Sequence, residues 1–162
     1  MPPIILRASV ADDAGFAYDV TEKTMRGHVV ATWGEWRSDV VREALRAQAA
    51  GGTAQVIELN GAKAGWLVIE RQTSHFQLEQ LFVLPEYQSQ GIGTRIVQDL
   101  IEEASSLKLP VRLRVLAVNP ARRFYERMGF SVVEVAQERV LMERAPQDTP
   151  ATVTRPATGP LP

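Results

Sequence analysis

The sequence of 162 residues contains no cysteine and only two histidines, His28 and His75. A chain without cysteine has no disulfide, no thiolate ligand for a metal and no thiol nucleophile. The two histidines lie far apart in the sequence, so they do not make a histidine-rich metal site. We therefore expect no bound metal.

The sequence also lacks a long apolar run and a large charge of one sign. No stretch approaches the ~20 apolar residues of a membrane-spanning helix, and the formal net charge is -1. Because surfaces that bind nucleic acid are usually strongly basic, we expect no nucleic-acid partner, and no membrane partner either. The N-terminal stretch MPPIILRASVADD has no basic segment followed by a long apolar one, which predicts a cytoplasmic location.

Length and composition indicate one globular domain. Apolar residues make up 45% of the chain and charged residues 23%, which is close to the globular average. The length suffices for one sizeable core and is short for two. We predict a domain over residues 1–144. The last eighteen residues hold five of the ten prolines, four threonines and no aromatic residue, so residues 145–162 are predicted to be a disordered tail.

The segment FQLEQLFVL, residues 76–84, predicts a strand with one irregularity. Phe76 and Leu78 alternate with polar residues, Gln80 interrupts the alternation, and the stretch after it is uniformly apolar. One extra residue near Gln80, a β-bulge, would restore both halves; a fully buried second half explains the same pattern. A bulge would leave backbone groups of the second half without strand partners, open to a ligand that carries amides. The residues concerned are Leu81, Phe82 and Val83.

The stretch PEYQSQGIGTR, residues 85–95, places two glycines where this strand gives way to a helix. Apolar residues recur after the glycines with helical spacing, which predicts a helix running to about Leu107. The first backbone N–H groups of a helix have no partner within it, and the helix dipole favours negative charge there. Because glycine has no Cβ to hold a ligand away, Gly91 and Gly93 would let these N–H groups close around a phosphate.

Two common phosphate-binding motifs do not match this stretch. A P-loop needs a lysine after its last glycine, and Thr94 stands there. A Rossmann fingerprint needs a third glycine where the chain has Ile96. The pattern Q/R-x-x-G-x-G/A does fit residues 88–93, QSQGIG. For this motif alone, a glycine-rich helix start without any ligand is the alternative.

A second motif, VNPARRFYERMGF at residues 118–130, follows the next predicted strand. Asn119 is a suitable cap and Pro120 a suitable first residue for a short helix that stops at Gly129. The two motifs, in this order and with a helix and a strand between them, resemble the acetyl-CoA loop and the tyrosine-bearing helix of the GNAT superfamily of N-acetyltransferases. In element order the resemblance covers about residues 4–144.

The resemblance and the pattern of elements together predict an α/β (α+β) fold of the GNAT type. We expect a mixed, mostly antiparallel central sheet of about six or seven strands, with helices on both faces and a splayed or bulged fourth strand. Asn60-Gly61 predicts a hairpin turn between two of the strands. The predicted strands cover residues 4–9, 54–59, 62–71, 76–84, 111–118, 130–135 and 139–144. The predicted helices cover residues 11 to about 25, 39–49, the glycine loop to about 107, and 120–128.

The resemblance implies transfer of an acetyl group from acetyl-CoA, as co-substrate, directly to a primary amine. Backbone N–H groups of the glycine loop would hold the pyrophosphate, and the open strand would pair with the pantetheine amides. The residues so implied are Leu81, Phe82, Val83, Gln88, Ser89, Gln90, Gly91, Ile92, Gly93, Thr94 and Asn119. Asn119 serves equally well as a helix cap. Because Gln88 stands where the motif also accepts arginine, Arg95, Arg122 and Arg123 are candidates to supply the missing charge.

The same resemblance implies two catalytic residues. Tyr125 matches the proton donor that would protonate the leaving thiolate, since a phenol can donate to a thiolate of similar basicity. Its alternative role is a half-buried aromatic on a short helix. Glu79 is the candidate base for the amine, and a surface glutamate is the alternative. Glu35, His75 or solvent could also take this proton.

The acceptor wall is implied to lie around the first two helices and their connection. His28, Trp33 and Trp36 fall there, and an aromatic wall suits a substrate with an apolar body and one amine. Tryptophans three residues apart are equally consistent with a core. We expect a small-molecule amine as acceptor. The alternatives are a protein N-terminus or lysine, and a non-catalytic acyl-CoA-binding module; a homodimer is possible because dimers are common in the family.

Overall fold

In the computed structural model, which describes residues 2–147, seven strands and four helices follow one another along the chain. The strands are β1 (Ile4–Ala8), β2 (Gln55–Leu59), β3 (Ala62–Arg71), β4 (Phe76–Val83), β5 (Val111–Leu116), β6 (Ser131–Ala136) and β7 (Arg139–Arg144). The helices are α1 (Ala14–Trp33), α2 (Ser38–Gly51), α3 (Ile92–Ser106) and α4 (Ala121–Arg127). The predicted tail lies outside the described residues from position 148 onward.

All seven strands form one sheet in the order β1-β2-β3-β4-β5-β7-β6. Every neighbouring pair is antiparallel except β4 and β5, which run parallel. A parallel pair needs a long crossover connection, and here α3 supplies it. The predicted mixed, mostly antiparallel sheet is confirmed.

Helices cover both faces of the sheet, as predicted. Neighbouring strand residues point to opposite faces, so Val56 and Trp66 belong to one core while Ile57 and Leu67 belong to the other. The first core lies under α1 and α2, and we call that side the α1 face. The second lies under α3 and α4, with residues such as Ile96 and Leu100, and we call it the α3 face.

The first helix is longer than the sequence predicted. The prediction ended it near Met25, but α1 continues to Trp33. The aromatic segment that follows Met25 therefore forms the last turns of a helix rather than a connection. It ends at Gly34, which adopts a left-handed φ of 87° and donates its N–H to the carbonyl of Val30. It also begins at Ala14, three residues later than predicted, because Ala11–Asp13 form a short 3-10 helix; the boundaries of the other predicted elements agree with the structure to within two residues.

Two local features stabilise the side of the sheet formed by β1, β2 and β3. Asn60 and Gly61 both have positive φ, as a two-residue hairpin turn between β2 and β3 requires. Next to it, the buried Asp13 accepts hydrogen bonds from both Arg7 Nη atoms at 3.0 Å and from Lys63 Nζ at 2.8 Å. These bonds, chiefly those from Arg7, hold the pKa of Asp13 well below its ordinary value. The ion-pair cluster ties β1 and β3 to the start of α1.

Candidate active site

Strands β4 and β5 are paired over only three residues and then separate. The pairing joins residues 76–78 of β4 to residues 111–113 of β5 and stops there. At the same point β4 contains an extra residue, because Leu78 lies opposite Ile69 and Gln80 opposite Val68, which leaves Glu79 unmatched. The predicted bulge is confirmed, one residue before Gln80. It bends β4 away from β5 and opens a gap between them.

The second half of β4 presents to this gap a backbone edge that has no strand partner among the described residues. Leu84 donates its N–H to the carbonyl of Ala64, toward β3. Because backbone groups alternate in direction along a strand, those of Val83 and Leu81 point toward the gap. Residues 80–83 keep their pairing with β3, so only the gap side of β4 is open.

The glycine loop closes one end of the gap. Ser89 and Gly91 adopt left-handed φ values of 64° and 82°, which turn the chain into α3. The first hydrogen bond of the helix runs from the N–H of Arg95 to the carbonyl of Gly91 at 3.0 Å. The N–H groups of Ile92, Gly93 and Thr94 precede it and have no partner within the helix. Among residues 2–147, no side chain caps this end of α3.

Two glutamines of the loop bond back to the chain. Gln88 donates from Nε2 to the carbonyl of Val83 at 2.9 Å, which links the loop to the end of β4. Gln90 donates from Nε2 to the carbonyl of Glu86 at 3.2 Å. The side chains of both residues therefore help to hold the loop in shape.

The gap widens into a cleft of about 1030 Å³ that reaches from the glycine loop to α1. It brings together most of the residues predicted from the sequence. These are His28, Trp33, Glu79, Leu81, Phe82, Val83, Gln88, Ser89, Gly91, Ile92, Gly93, Thr94, Asn119 and Tyr125. Gln90 and Trp36 are not among the lining residues.

Tyr125 lines the cleft from the α3 face. Its ring is only 7% exposed and lies edge-on to Phe124 and Phe130, with ring centroids 5.0 Å and 5.6 Å away. Burial raises the pKa of the Tyr125 phenol well above its ordinary value. The hydroxyl therefore stays protonated at neutral pH.

The bulge in β4 places Glu79 and Gln80 in the cleft. Glu79 Oε1 lies 3.5 Å from Arg114 Nη2 of β5, across the gap. Gln80 is opposite Val68, a residue of the α1-face core, so its side chain is on that face. Within residues 2–147, the buried Oε1 of Gln80 has no hydrogen-bond partner. An orphaned acceptor in a cleft is a suitable site for a ligand N–H.

Asn119 does two things at the start of α4. Its Oδ1 accepts a hydrogen bond from the N–H of Ala121 at 2.9 Å, as expected of a cap. Its Nδ2 lies 3.9 Å from the sulfur of Met25 on α1. The residue also lines the cleft, so both sequence interpretations agree with its position.

The two tryptophans have different surroundings. Trp33 lines the cleft and is 45% exposed. Trp36 packs in the α1-face core, where its Nε1 donates to the hydroxyl of Tyr18 at 2.9 Å. Trp36, which the sequence placed in the acceptor wall, thus lies against the core and is not among the residues that line the cleft.

Three arginines that were not predicted from the sequence also line the cleft, namely Arg114, Arg127 and Arg139. The arginines proposed from the sequence for the phosphates, Arg95, Arg122 and Arg123, do not line it. Arg95 pairs with Asp99, and Arg122 with Glu126. Because side chains alternate along β5, the sequence predicts that Arg114 points to the face of the sheet opposite to that of its two buried neighbours. Only the fold shows that this face lines the cleft.

A family model described as an acetyltransferase (GNAT) domain matches residues 17–143, from α1 into β7. The chain belongs to the GNAT acetyltransferase family. Among curated proteins, none matches the sequence of this acetyltransferase. Within residues 2–147, no helix has the length and apolar character needed to cross a membrane, and no group of acidic or histidine side chains is arranged to hold a metal ion.

Solved structures share the fold of this GNAT acetyltransferase at low sequence identity. One is PaiA N-acetyltransferase from Thermoplasma acidophilum in complex with coenzyme A, 16% identical, with a TM-score of 0.69 over 88% of this chain and 99% of that one. Another is PH1933 from Pyrococcus horikoshii, 18% identical, with a TM-score of 0.69 over 91% and 100%. A third is the ribosomal-protein-S18-alanine N-acetyltransferase from Escherichia coli, 17% identical, with a TM-score of 0.64 over 94% and 100%.

Proposed function

We propose that this GNAT acetyltransferase transfers an acetyl group from acetyl-CoA directly to the primary amine of a small molecule. The observation that carries the proposal is the gap between β4 and β5. It lies between the open backbone edge of β4 and the N–H groups at the start of α3 that have no partner within the helix. A long ligand with amides at one end and phosphates at the other suits these two features. The coenzyme A bound to PaiA, a protein of the same fold, has both.

The described residues fit such a ligand. Ile92, Gly93 and Thr94 would donate their backbone N–H groups to the pyrophosphate. Leu81 and Val83 would pair with the pantetheine amides, because their backbone groups point into the gap. Phe124 packs 3.6 Å from the position that a Cβ would take on Gly93. Arg127 follows Phe124 by three residues, so it is on the same side of α4 and can meet the phosphates.

Two side chains would move the protons of the reaction. Acetyl-CoA, when bound, supplies the acetyl group as an activated thioester. Glu79, directly or through water, would accept the proton that the ammonium must lose before its nitrogen can attack the thioester carbonyl. Tyr125 would donate its phenolic proton to the CoA sulfur as the C–S bond breaks, and it would regain a proton from the nitrogen, which loses its second proton as the amide forms. No acyl-enzyme is needed, in keeping with a chain that has no cysteine.

Thermal unfolding with and without acetyl-CoA tests this proposal. At a hundred times its dissociation constant, acetyl-CoA should stabilise the chain by about 2.7 kcal/mol. For a chain of this size the unfolding temperature then rises by roughly 5 to 10 °C. ATP and NAD at equal concentration serve as controls, since both carry a pyrophosphate but no pantetheine. A shift with all three ligands, or with none, would contradict the proposal.

A further inference from the structure

The charge of the cleft is unlike the charge of the whole chain. The formal net charge of the protein is -1, yet the described residues that line the cleft include four basic side chains and one acidic one. These are Lys23, Arg114, Arg127, Arg139 and Glu79. Lys23 is paired with Asp19 at 3.2 Å, and Arg114 with Glu79. Within residues 2–147, Arg127 and Arg139 have no ion-pair partner.

Arg139 and Arg114 are on the side of the sheet away from the phosphates. In the pairing of β5 with β7, Val115 lies opposite Val140, and both belong to the α3-face core. Their neighbours therefore point to the α1 face. Arg114 lies opposite Leu141 and Arg139 opposite Leu116. The two arginines are thus diagonal neighbours on one face, with Cα atoms about 7 to 8 Å apart.

Trp33 orients Arg139 within the cleft. The guanidinium carbon of Arg139 lies 5.1 Å from the centroid of the Trp33 ring. Stacking on an aromatic ring covers one face of the guanidinium and leaves its N–H donors, which lie in the plane, free to bind an oxyanion. A fork of donors held by an aromatic ring is a typical arrangement for recognising a carboxylate or phosphate.

The groups suited to an amine lie on the same face, at the bulge in β4. Glu79 offers a carboxylate there, and Gln80 offers the buried Oε1 that has no partner within residues 2–147. On this face of the sheet, β4 carries the oxygen acceptors, and β5 and β7 carry the arginines. Glu79 contacts Arg114 across the gap at 3.5 Å, whereas Arg139 is on β7, one strand further from β4. The α1 side of the cleft therefore has an amine-binding end at the bulge and an oxyanion-binding end at Arg139, separated by about the width of two strands, ~10 Å.

We propose that the acceptor is a primary amine that also carries an oxyanion, and that Arg139, supported by Arg114, binds this group. This inference rests on the proposed acetyl transfer, because it assigns the acceptor of that reaction. It disfavours polyamines, whose second ammonium would meet the arginines. The arginines would bind either a carboxylate or a phosphate, and the experiment below distinguishes these two oxyanions.

The test compares amines that differ only in the oxyanion. Thiol release from acetyl-CoA is measured with phenylalanine against phenethylamine for a carboxylate, and with phosphoethanolamine against ethanolamine for a phosphate. In at least one pair, we expect kcat/KM to be about 10- to 100-fold higher for the member that carries the oxyanion. The pair showing the larger ratio identifies the anion. Spermidine and a C-terminally amidated peptide with a free N-terminus and no acidic side chain complete the panel, and a higher kcat/KM for either would overturn the proposal.

Arg139→Gln should abolish the preference. It is expected to lower kcat/KM for the preferred oxyanion-bearing amine by about 10- to 100-fold and to change the value for its neutral counterpart by less than about twofold. Arg139→Lys should restore part of the loss, since a lysine keeps the charge but not the fork. Arg46→Gln is the control, because Arg46 is exposed on α2, pairs with Glu43 and does not line the cleft.

Two further measurements separate the possible failures. If Arg139→Gln raises the KM of acetyl-CoA instead, Arg139 binds CoA phosphates and the inference is wrong. If no amine of the panel is acetylated, calorimetric titration of the four paired compounds decides: oxyanion-selective binding that Arg139→Gln removes supports the inference, and equal or absent binding overturns it. Failure of acetyl-CoA to stabilise the protein would overturn the proposed function itself, so the two failures remain distinguishable.

Discussion

A Tyr125→Phe variant is expected to bind acetyl-CoA as well as the unaltered protein and to lose about 10² to 10⁴ in kcat, the range typical of a general acid. The ring is packed between Phe124 and Phe130, so removing only the oxygen leaves the packing of α4 intact. The proton that the leaving sulfur needs is then missing. Steady-state kinetics with acetyl-CoA as the varied substrate would separate the loss in kcat from any change in binding.

The pH profile adds a second check on Tyr125. Because burial raises the pKa of this phenol, the donor stays protonated, and kcat should not fall on the alkaline side below about pH 10. Tyr18→Phe, outside the cleft, is the control. Tyr87 also lines the cleft. If Tyr87→Phe lost turnover while Tyr125→Phe kept it, the assignment of the donor would be wrong.

A Gly65→Ala variant is expected to be strongly destabilised. A Cβ on Gly65 would lie 2.4 Å from the carbonyl oxygen of Phe82 and 2.9 Å from Cδ1 of Ile57. The first contact is with the backbone of β4, which cannot move aside as a side chain does. We expect a loss of about 3 kcal/mol in the free energy of unfolding, or roughly 6 to 12 °C in unfolding temperature.

This glycine also matters for the site, because it lies opposite Val83 and lets β3 approach the half of β4 that borders the gap. Pushing β4 outward would alter the gap, so acetyl-CoA affinity should fall along with stability. Gly27→Ala is the matched control: it is a helical glycine with nothing within 4 Å of the added carbon, and it should gain about 0.5 to 1 kcal/mol. Equal stability of the two variants, measured by denaturant unfolding, would contradict the close approach of the strands.

The sequence predicted what depends on local pattern. The broken alternation around Gln80 indicated the bulge, since strand side chains alternate strictly and one extra residue shifts them all. The glycines before α3 indicated the turn into the helix. The extent of α1 was missed because His28 to Trp33 contains β-branched and aromatic residues, weak helix formers that here gain from packing against the rest of the fold.

The acceptor side of the cleft was harder to predict. Arg114 and Arg139 are 25 positions apart in the sequence, and they meet only because β5 and β7 pair with Leu116 opposite Arg139. The local sequence around either arginine does not indicate which residues of β5 and β7 lie opposite each other. Trp33 and Trp36 show the same limit. The point at which α1 ends decides that Trp33 lines the cleft and that Trp36 packs against the core, and the local sequence does not indicate that point.

Amide hydrogen exchange with and without acetyl-CoA tests the central claim most directly, because it locates the ligand as well as detecting it. The claim is that the gap between β4 and β5 binds acetyl-CoA through backbone groups on both sides of the glycine loop. We predict that acetyl-CoA slows exchange at Ile92, Gly93 and Thr94 and at Leu81 and Val83, whereas β1 and β2 are unchanged. Slowed exchange elsewhere, with these five amides unaffected, would contradict the account.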